Sequence, residues 1–380
     1  MTLYRAIGLM SGTSMDGVDV ALLDTDGETR LDFGPTGFFP YSEEDRDLLR
    51  TALAEATRLS DRSARPGAVG AAERLITDRH AQAIESFLRD EKLAPASIDV
   101  LGFHGQTVLH RPQSRLTVQI GDAHALAARL CVDVAYDFRG ADVAAGGEGA
   151  PLVPAYHRAL VAASGLAGPV AVINIGGVAN VTFVDGDAEP IAFDTGPGNA
   201  LIDDLMLART GNPVDRDGAT AAKGRVDAAI LQSLLLHPFF QKLPPKSLDR
   251  NDFSFHLTDT LSVEDAAATL TAFTAASLAR AFELTSSAPR RAIVCGGGAH
   301  NPTLMRALAE RLPCPVATAG ELGWMGDAIE AQAFAFLAVR VLKGLPLTFP
   351  GTTGVHAPTT GGEIATATTS GADGRRRAAG

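Results

Sequence analysis

The residues with the most chemical potential lie within the first twenty. Gly8, Ser11, Gly12, Thr13, Ser14, Met15, Asp16, Gly17, Val18 and Asp19 fall between or at the ends of two apolar runs. Glycines at 8, 12 and 17 let backbone N–H groups turn toward a bound anion without Cβ clashes. Ser11, Thr13 and Ser14 add hydroxyl donors, and Asp16 and Asp19 suit a phosphate-bound Mg²⁺. Glycine at a hairpin tip is usually only a turn residue. Here the glycines alternate with hydroxyls and acids, so the stretch reads as a phosphate cradle. No helix follows it and no GxxxxGK[ST] occurs, which separates it from a P-loop.

Asp194, in Phe193-Asp194-Thr195-Gly196-Pro197-Gly198-Asn199, ends an apolar strand before a glycine turn and a helix. An acid there can act as a general base; an Asx-turn is its commoner use. Gly296-Gly297-Gly298-Ala299-His300-Asn301 also joins a strand to a helix, and three successive glycines exceed what a tight turn requires. Arg139 suits a carboxylate or phosphate, or else an internal ion pair. Glu330 opens an apolar helix, where it either faces substrate or complements the helix dipole. His104 and His110 are too loosely spaced for a zinc site, so hydrogen bonding to a sugar or a place in the core is expected. The chain carries no complete GxGxxG after a strand and no HRD or DFG set.

These residues need strands and helices to hold them. Residues 3–39 read as a strand meander, 43–58 and 67–92 as helices, and 98–103 and 117–120 as strands. Asp122 N-caps a helix to Leu130, and 132–138 is again strand. Residues 170–185 then repeat the opening pattern of strand, glycine-rich tip, strand and Asp. The spacing, about half the chain, indicates a tandem duplication. A strand at 190–195 precedes helices at 198–210 and 224–237, an irregular loop at 241–260 and a long Ala-rich helix at 262–286. A strand at 291–295 and helices near 302–312 and 327–342 follow, and residues 361–380 read as a disordered tail. The expectation is an α/β chain of two domains, 1–135 with about 345–360, and 136–344.

A chain of 380 residues with 46% hydrophobic content can bury two cores, and its net charge of −11 argues against nucleic acid or an anionic membrane as main partner. Three cysteines without a CxxC pair, no secretory leader and no long uncharged apolar run point to a soluble cytoplasmic protein.

As a set, these motifs resemble the anhydro-N-acetylmuramic acid kinase family. The matching segments are Gly8–Asp19, Phe103-His104-Gly105-Gln106-Thr107, Asp137-Phe138-Arg139 through Gly149-Ala150-Pro151-Leu152-Val153-Pro154, Asn174–Asn180, Phe193–Asn199 and Cys295–Asn301. One position departs: Glu148 stands where the family pattern usually has Gln. The resemblance implies a duplicated actin-like (ribonuclease-H-like) ATPase fold, two domains around a cleft, ATP with Mg²⁺, and a homodimer. By position it implies that Gly12, Thr13, Ser14, Met15, Asp16, Gly17, Val18 and Asp19 bind ATP phosphates, with Asp16 toward Mg²⁺, and that Gly296, Gly297 and Gly298 lie near adenosine. Asp194 is then the base that activates water, and Arg139, Glu330, Gln106 and Thr107 contact the sugar. An actin-like ATP-binding regulator is the alternative that the fold alone admits, but no peptide-binding region is visible in the sequence.

Overall fold

The computed structural model describes residues 2–12, 14–248, 252–285 and 287–367. The alternating apolar residues of the first forty form a meander of β1 (Tyr4–Met10), β2 (Gly17–Thr25) and β3 (Leu31–Pro40). The strands that follow are β4 (Val100–Phe103), β5 (Gln106–Arg111), β6 (Leu116–Ile120) and β7 (Val134–Tyr136). Next come β8 (Val170–Ile175), β9 (Val178–Val184) and β10 (Ile191–Pro197), and then β11 (Arg291–Cys295), β12 (Val316–Thr318) and β13 (Glu363–Ala365). Two compact units result. One is Met1–Gly146 with Glu330–Leu347 and the chain from Thr360; the other is Gly147–Ile329 with Thr348–Thr359.

In the first unit the sheet order is β13-β7-β4-β1-β2-β3, and in the second it is β10-β9-β8-β11-β12. Each sheet contains an antiparallel three-stranded meander whose first strand also pairs in parallel with a later strand, and that strand pairs in parallel with another. One topology used twice is the duplicated actin-like α/β fold, in agreement with the repeated pattern at 7–24 and 170–185. The antiparallel pair β5–β6 forms a small separate sheet.

The first sheet buries Ile7, Leu9, Leu101 and Val134 together with Leu49, Ile76, Ile84 and Phe87 of helices Glu43–Ala56 and Gly67–Asp90. Helix Ile329–Leu342 lies directly on this sheet. Gly8 and Gly102 stand side by side in paired β1 and β4, and a Cβ on either would overlap the carbonyl oxygen of Ala331 or Phe334. Their bare backbone is what admits the helix, which the order along the chain had grouped with the second half. In the second unit Ile173, Val181, Phe193 and Val294 pack with Leu278, Phe282, Leu304 and Leu308.

The tail expected from 361 is corrected in its first part. Residues Glu363–Ala365 form β13, antiparallel to β7; Ala365 is fully buried and the Tyr136 hydroxyl donates to Glu363 Oε2 at 2.6 Å. Residues 368–380 lie outside the described residues. Helix Pro154–Ala163 and strands β5 and β12 carried no clear sequence signal. Among the described residues, no helix is long and apolar enough to cross a membrane.

Candidate active site

Residues 11–16 join β1 to β2, whose register ends with Met10 opposite Asp19. The loop is held by hydrogen bonds to its own carbonyls. Gly12 O accepts from Gln106 Nε2 at 3.2 Å and from the Met15 N–H at 3.1 Å, and Asp16 O accepts from the Tyr41 N–H at 2.9 Å. Met15 takes the left-handed conformation, φ 56°. A Cβ at Gly12 would meet nothing closer than Ser14 Oγ, 3.5 Å away, so this backbone is open to an approaching anion. Ser14 and Asp16 are exposed and Asp19 is half-buried. Gly17 and Val18 serve packing: a Cβ on Gly17 would overlap the Phe39 carbonyl oxygen, and Val18 belongs to the core. Thr13 lies outside the described residues. Gln106 is buried, and Thr107 Oγ1 accepts from Gln119 Nε2 at 3.1 Å.

In the same unit the structure brings Arg139 near Glu330. Arg139 follows β7; its Nε donates to His104 Nε2 at 3.1 Å. Desolvation lowers the guanidinium to about 10, with the charges of Glu330 and Asp142 opposing the shift. It is still a cation at neutral pH. Desolvation raises the Glu330 carboxyl above its usual range, and Arg139 works against this. Glu330 nonetheless keeps solvent access. A guanidinium cation and an acidic side chain held this way can grip the polar groups of a small substrate.

In the second unit, Asp194 lies opposite Asn180 at the last regular position of the β10–β9 pairing before the register shifts between Asp194 and Gly196, which leaves Thr195 as the extra residue. The Asp194 N–H donates to Lys246 O at 3.0 Å, and Asp194 Oδ2 accepts from the Leu248 N–H at 2.8 Å. Burial raises its carboxyl to about 6, although the Leu248 N–H and the Lys246 charge pull it down. Lys246 Nζ lies over the Phe239 ring, 4.5 Å from its centroid. A fixed carboxylate with raised proton affinity, still ionised at neutral pH, is suited to removing a proton. Nothing in the sequence singled out Lys246 or Leu248, because they lie in the irregular 241–260 segment.

The turn after Asp194 is stitched to the β8–β9 tip. The Gly198 N–H donates to Gly177 O at 2.9 Å and the Asn199 N–H to Gly176 O at 2.8 Å. That tip has two residues, against six in the first hairpin, and its carbonyls are used internally. The two halves therefore share a topology but not an open loop. Of the other glycines, Gly296 has φ 74° and a Cβ there would overlap Asn174 Oδ1. Gly298 packs on Ile175. Gly297 alone is exposed, with nothing nearer to a Cβ than Asn199 Nδ2 at 3.6 Å.

Among the described residues no group of three or more His, Cys, Asp or Glu side chains could hold a metal ion. The donors beside the first loop, Asp16 and Asp19, fit a Mg²⁺ that arrives on phosphates and keeps most of its waters, and do not fit a protein-built cage.

The model of the family described as "Anhydro-N-acetylmuramic acid kinase" matches residues 4–367. A protein so named from Nitrobacter winogradskyi is 59% identical over 363 residues, covering 95% of this chain and 99% of its own. Another so named, from Methylobacterium nodulans, is 57% identical over 371 residues, again covering 95% and 99%. Among solved structures, component A of (R)-2-hydroxyglutaryl-CoA dehydratase from Acidaminococcus fermentans is similar with a TM-score of 0.48 and 12% identity, covering 89% of this chain and 98% of that one. That likeness is too remote to bear on function. The match along nearly the whole chain places this phosphotransferase in the anhydro-N-acetylmuramic acid kinase family.

Proposed function

We propose that the enzyme opens the 1,6-anhydro ring of anhydro-N-acetylmuramic acid with water and phosphorylates the freed O6 from ATP. The products are N-acetylmuramic acid 6-phosphate and ADP. The observation that carries the reading is Asp194, a carboxylate fixed by the Leu248 N–H with its proton affinity raised to about 6. Asp194 takes a proton from water as the water oxygen bonds to the anomeric carbon. The bond from that carbon to O6 breaks, and O6 takes the γ-phosphoryl group. The balance is one water and one ATP consumed per sugar, with the abstracted proton returned to solvent.

The open backbone at Gly12 and the hydroxyl of Ser14 support phosphate binding at residues 12–19, where the 11–16 loop enters β2. Asp16 would hold Mg²⁺, which neutralises charge on the phosphates when bound. In the same reading the exposed Gly297, with Gly296 and Gly298 shaping its turn, approaches the adenosine. Arg139 and Glu330 hold the sugar, with Gln106 and Thr107 supporting them. Positioning and charge neutralisation supply most of phosphoryl-transfer catalysis, and these are what the two sets of residues offer. The enzyme then serves cell-wall recycling in the cytoplasm as a homodimer acting on small molecules, without nucleic acid or membrane.

Asp194→Asn tests the reading. ADP formation dependent on the anhydro-sugar should fall by about three orders of magnitude, a typical range for loss of a general base, while equilibrium dialysis still detects bound ATP. Full turnover by the variant removes Asp194 from the role. A panel of anhydro- and reducing amino sugars followed by phosphorus NMR decides the acceptor, and equal phosphorylation of ordinary hexoses would sink the anhydro-sugar assignment.

A further inference from the structure

His104 follows β4 and is 5% exposed. Its Nδ1 lies 2.7 Å from the Gly105 carbonyl oxygen. A carbonyl can only accept, so Nδ1 carries the ring proton and neutral Nε2 presents a lone pair. That lone pair accepts from Arg139 Nε at 3.1 Å. The ring rests on Phe334, with centroids 4.7 Å apart, and Phe334 packs on Phe138 at 5.3 Å. Phe138 immediately precedes Arg139, and Phe334 lies one helical turn beyond Glu330. Ser11 Oγ, at the start of the phosphate loop, donates to the same Gly105 oxygen at 3.4 Å.

We infer that His104 is the positioning residue for Arg139: its Nε2 fixes the plane of the guanidinium that receives the sugar, while its ring ties that arginine to the helix bearing Glu330. The inference rests on the sugar role proposed for Arg139. An arginine reads an acidic or polar partner through a planar fork, so the orientation of the plane decides how well it binds. An acceptor at Nε lies in that plane and removes the freedom to rotate out of it. The groups facing His104 are Arg139 and, more weakly, His80, both of which disfavour a second ring proton, as does burial. The ring therefore stays neutral and keeps Nε2 as an acceptor through the working range of pH. A protonated ring would set N–H against N–H and push the guanidinium away.

The test is a double-mutant cycle with Arg139→Ala. His104→Phe keeps a ring on Phe334 and deletes the acceptor, and His104→Gln restores an acceptor through Oε1. His104→Leu replaces the phenylalanine variant if that protein does not fold. Steady-state kinetics of the full-length enzyme should show the sugar KM rising about tenfold in His104→Phe, the scale of one lost hydrogen bond. The ATP KM should move less than about twofold, and His104→Gln should recover most of the loss. In the Arg139→Ala background, His104→Phe should add nothing, because its effect passes through the arginine. A sugar KM that rises in Arg139→Ala but not in His104→Phe overturns the inference alone, as do additive effects or a parallel rise in both KM values. A sugar KM unchanged in Arg139→Ala overturns the role of Arg139, and the inference with it.

Discussion

Asp194 carries a stability cost that follows from its chemistry. Its native carboxyl titrates near 6 against an ordinary value of 3.8. Between those values the folded chain binds more protons than the unfolded one, so stability falls as pH rises from about 4 to 6 and is level above. Asp194→Asn, which keeps an oxygen for the Leu248 N–H, should therefore stabilise the second unit at pH 7.5 by roughly 1–3 kcal/mol. Calorimetry at pH 7.5 and pH 4 checks this, and an equal effect at both values would contradict it. The same titration predicts that kcat/KM rises through an acid limb near pH 6. The Lys246 ammonium favours the Asp194 carboxylate, so Lys246→Met should move that limb to higher pH. A pH–rate profile of the two proteins is the measurement, and a limb that moves down or stays counts against the electrostatic account.

At the scale of elements, the contact between the first sheet and helix Ile329–Leu342 depends on Gly8 and Gly102, whose neighbours leave no room for a methyl group. Overpacking of this kind costs about 1–3 kcal/mol and shifts backbone. Gly102→Ala should lower the melting temperature and also raise the sugar KM, because the displaced helix carries Glu330. A variant with native melting and native KM would show that the helix is not seated by these glycines. The meander, the helices at 43–56 and 67–90 and the duplicated hairpin were legible because their apolar periodicity is strong. Strand β12 spans three residues and β13 lies in a Thr/Gly/Ala-rich stretch, so neither has a period to read. The partner of β13, strand β7, lies in the first half of the chain, where periodicity has no reach.

For the molecule as a whole, the first unit is completed by chain that arrives late: Glu330–Leu347 covers its sheet, and β13 closes the β7 edge. A fragment of residues 1–146 should consequently expose the faces of Gly8 and Gly102 and an unpaired β7, and should fail to give a cooperative melt by circular dichroism. A sharp transition in that fragment would mean the late segments are dispensable.

The sequence by itself determined the chemical inventory and the duplication. Glycines, hydroxyls and acids clustered within a few residues are local facts, and a repeated hairpin pattern shows in one dimension. It placed Asp194 at a strand end but left base and Asx-turn equally open. Only the tertiary structure supplied the burial that raises its proton affinity and the Leu248 N–H that fixes the carboxylate and partly offsets that rise. Likewise Arg139, His104 and Glu330 are far apart along the chain and adjacent in space. Desolvation and hydrogen-bond geometry depend on what packs around a side chain, and that is settled by the fold and not by the neighbours in sequence.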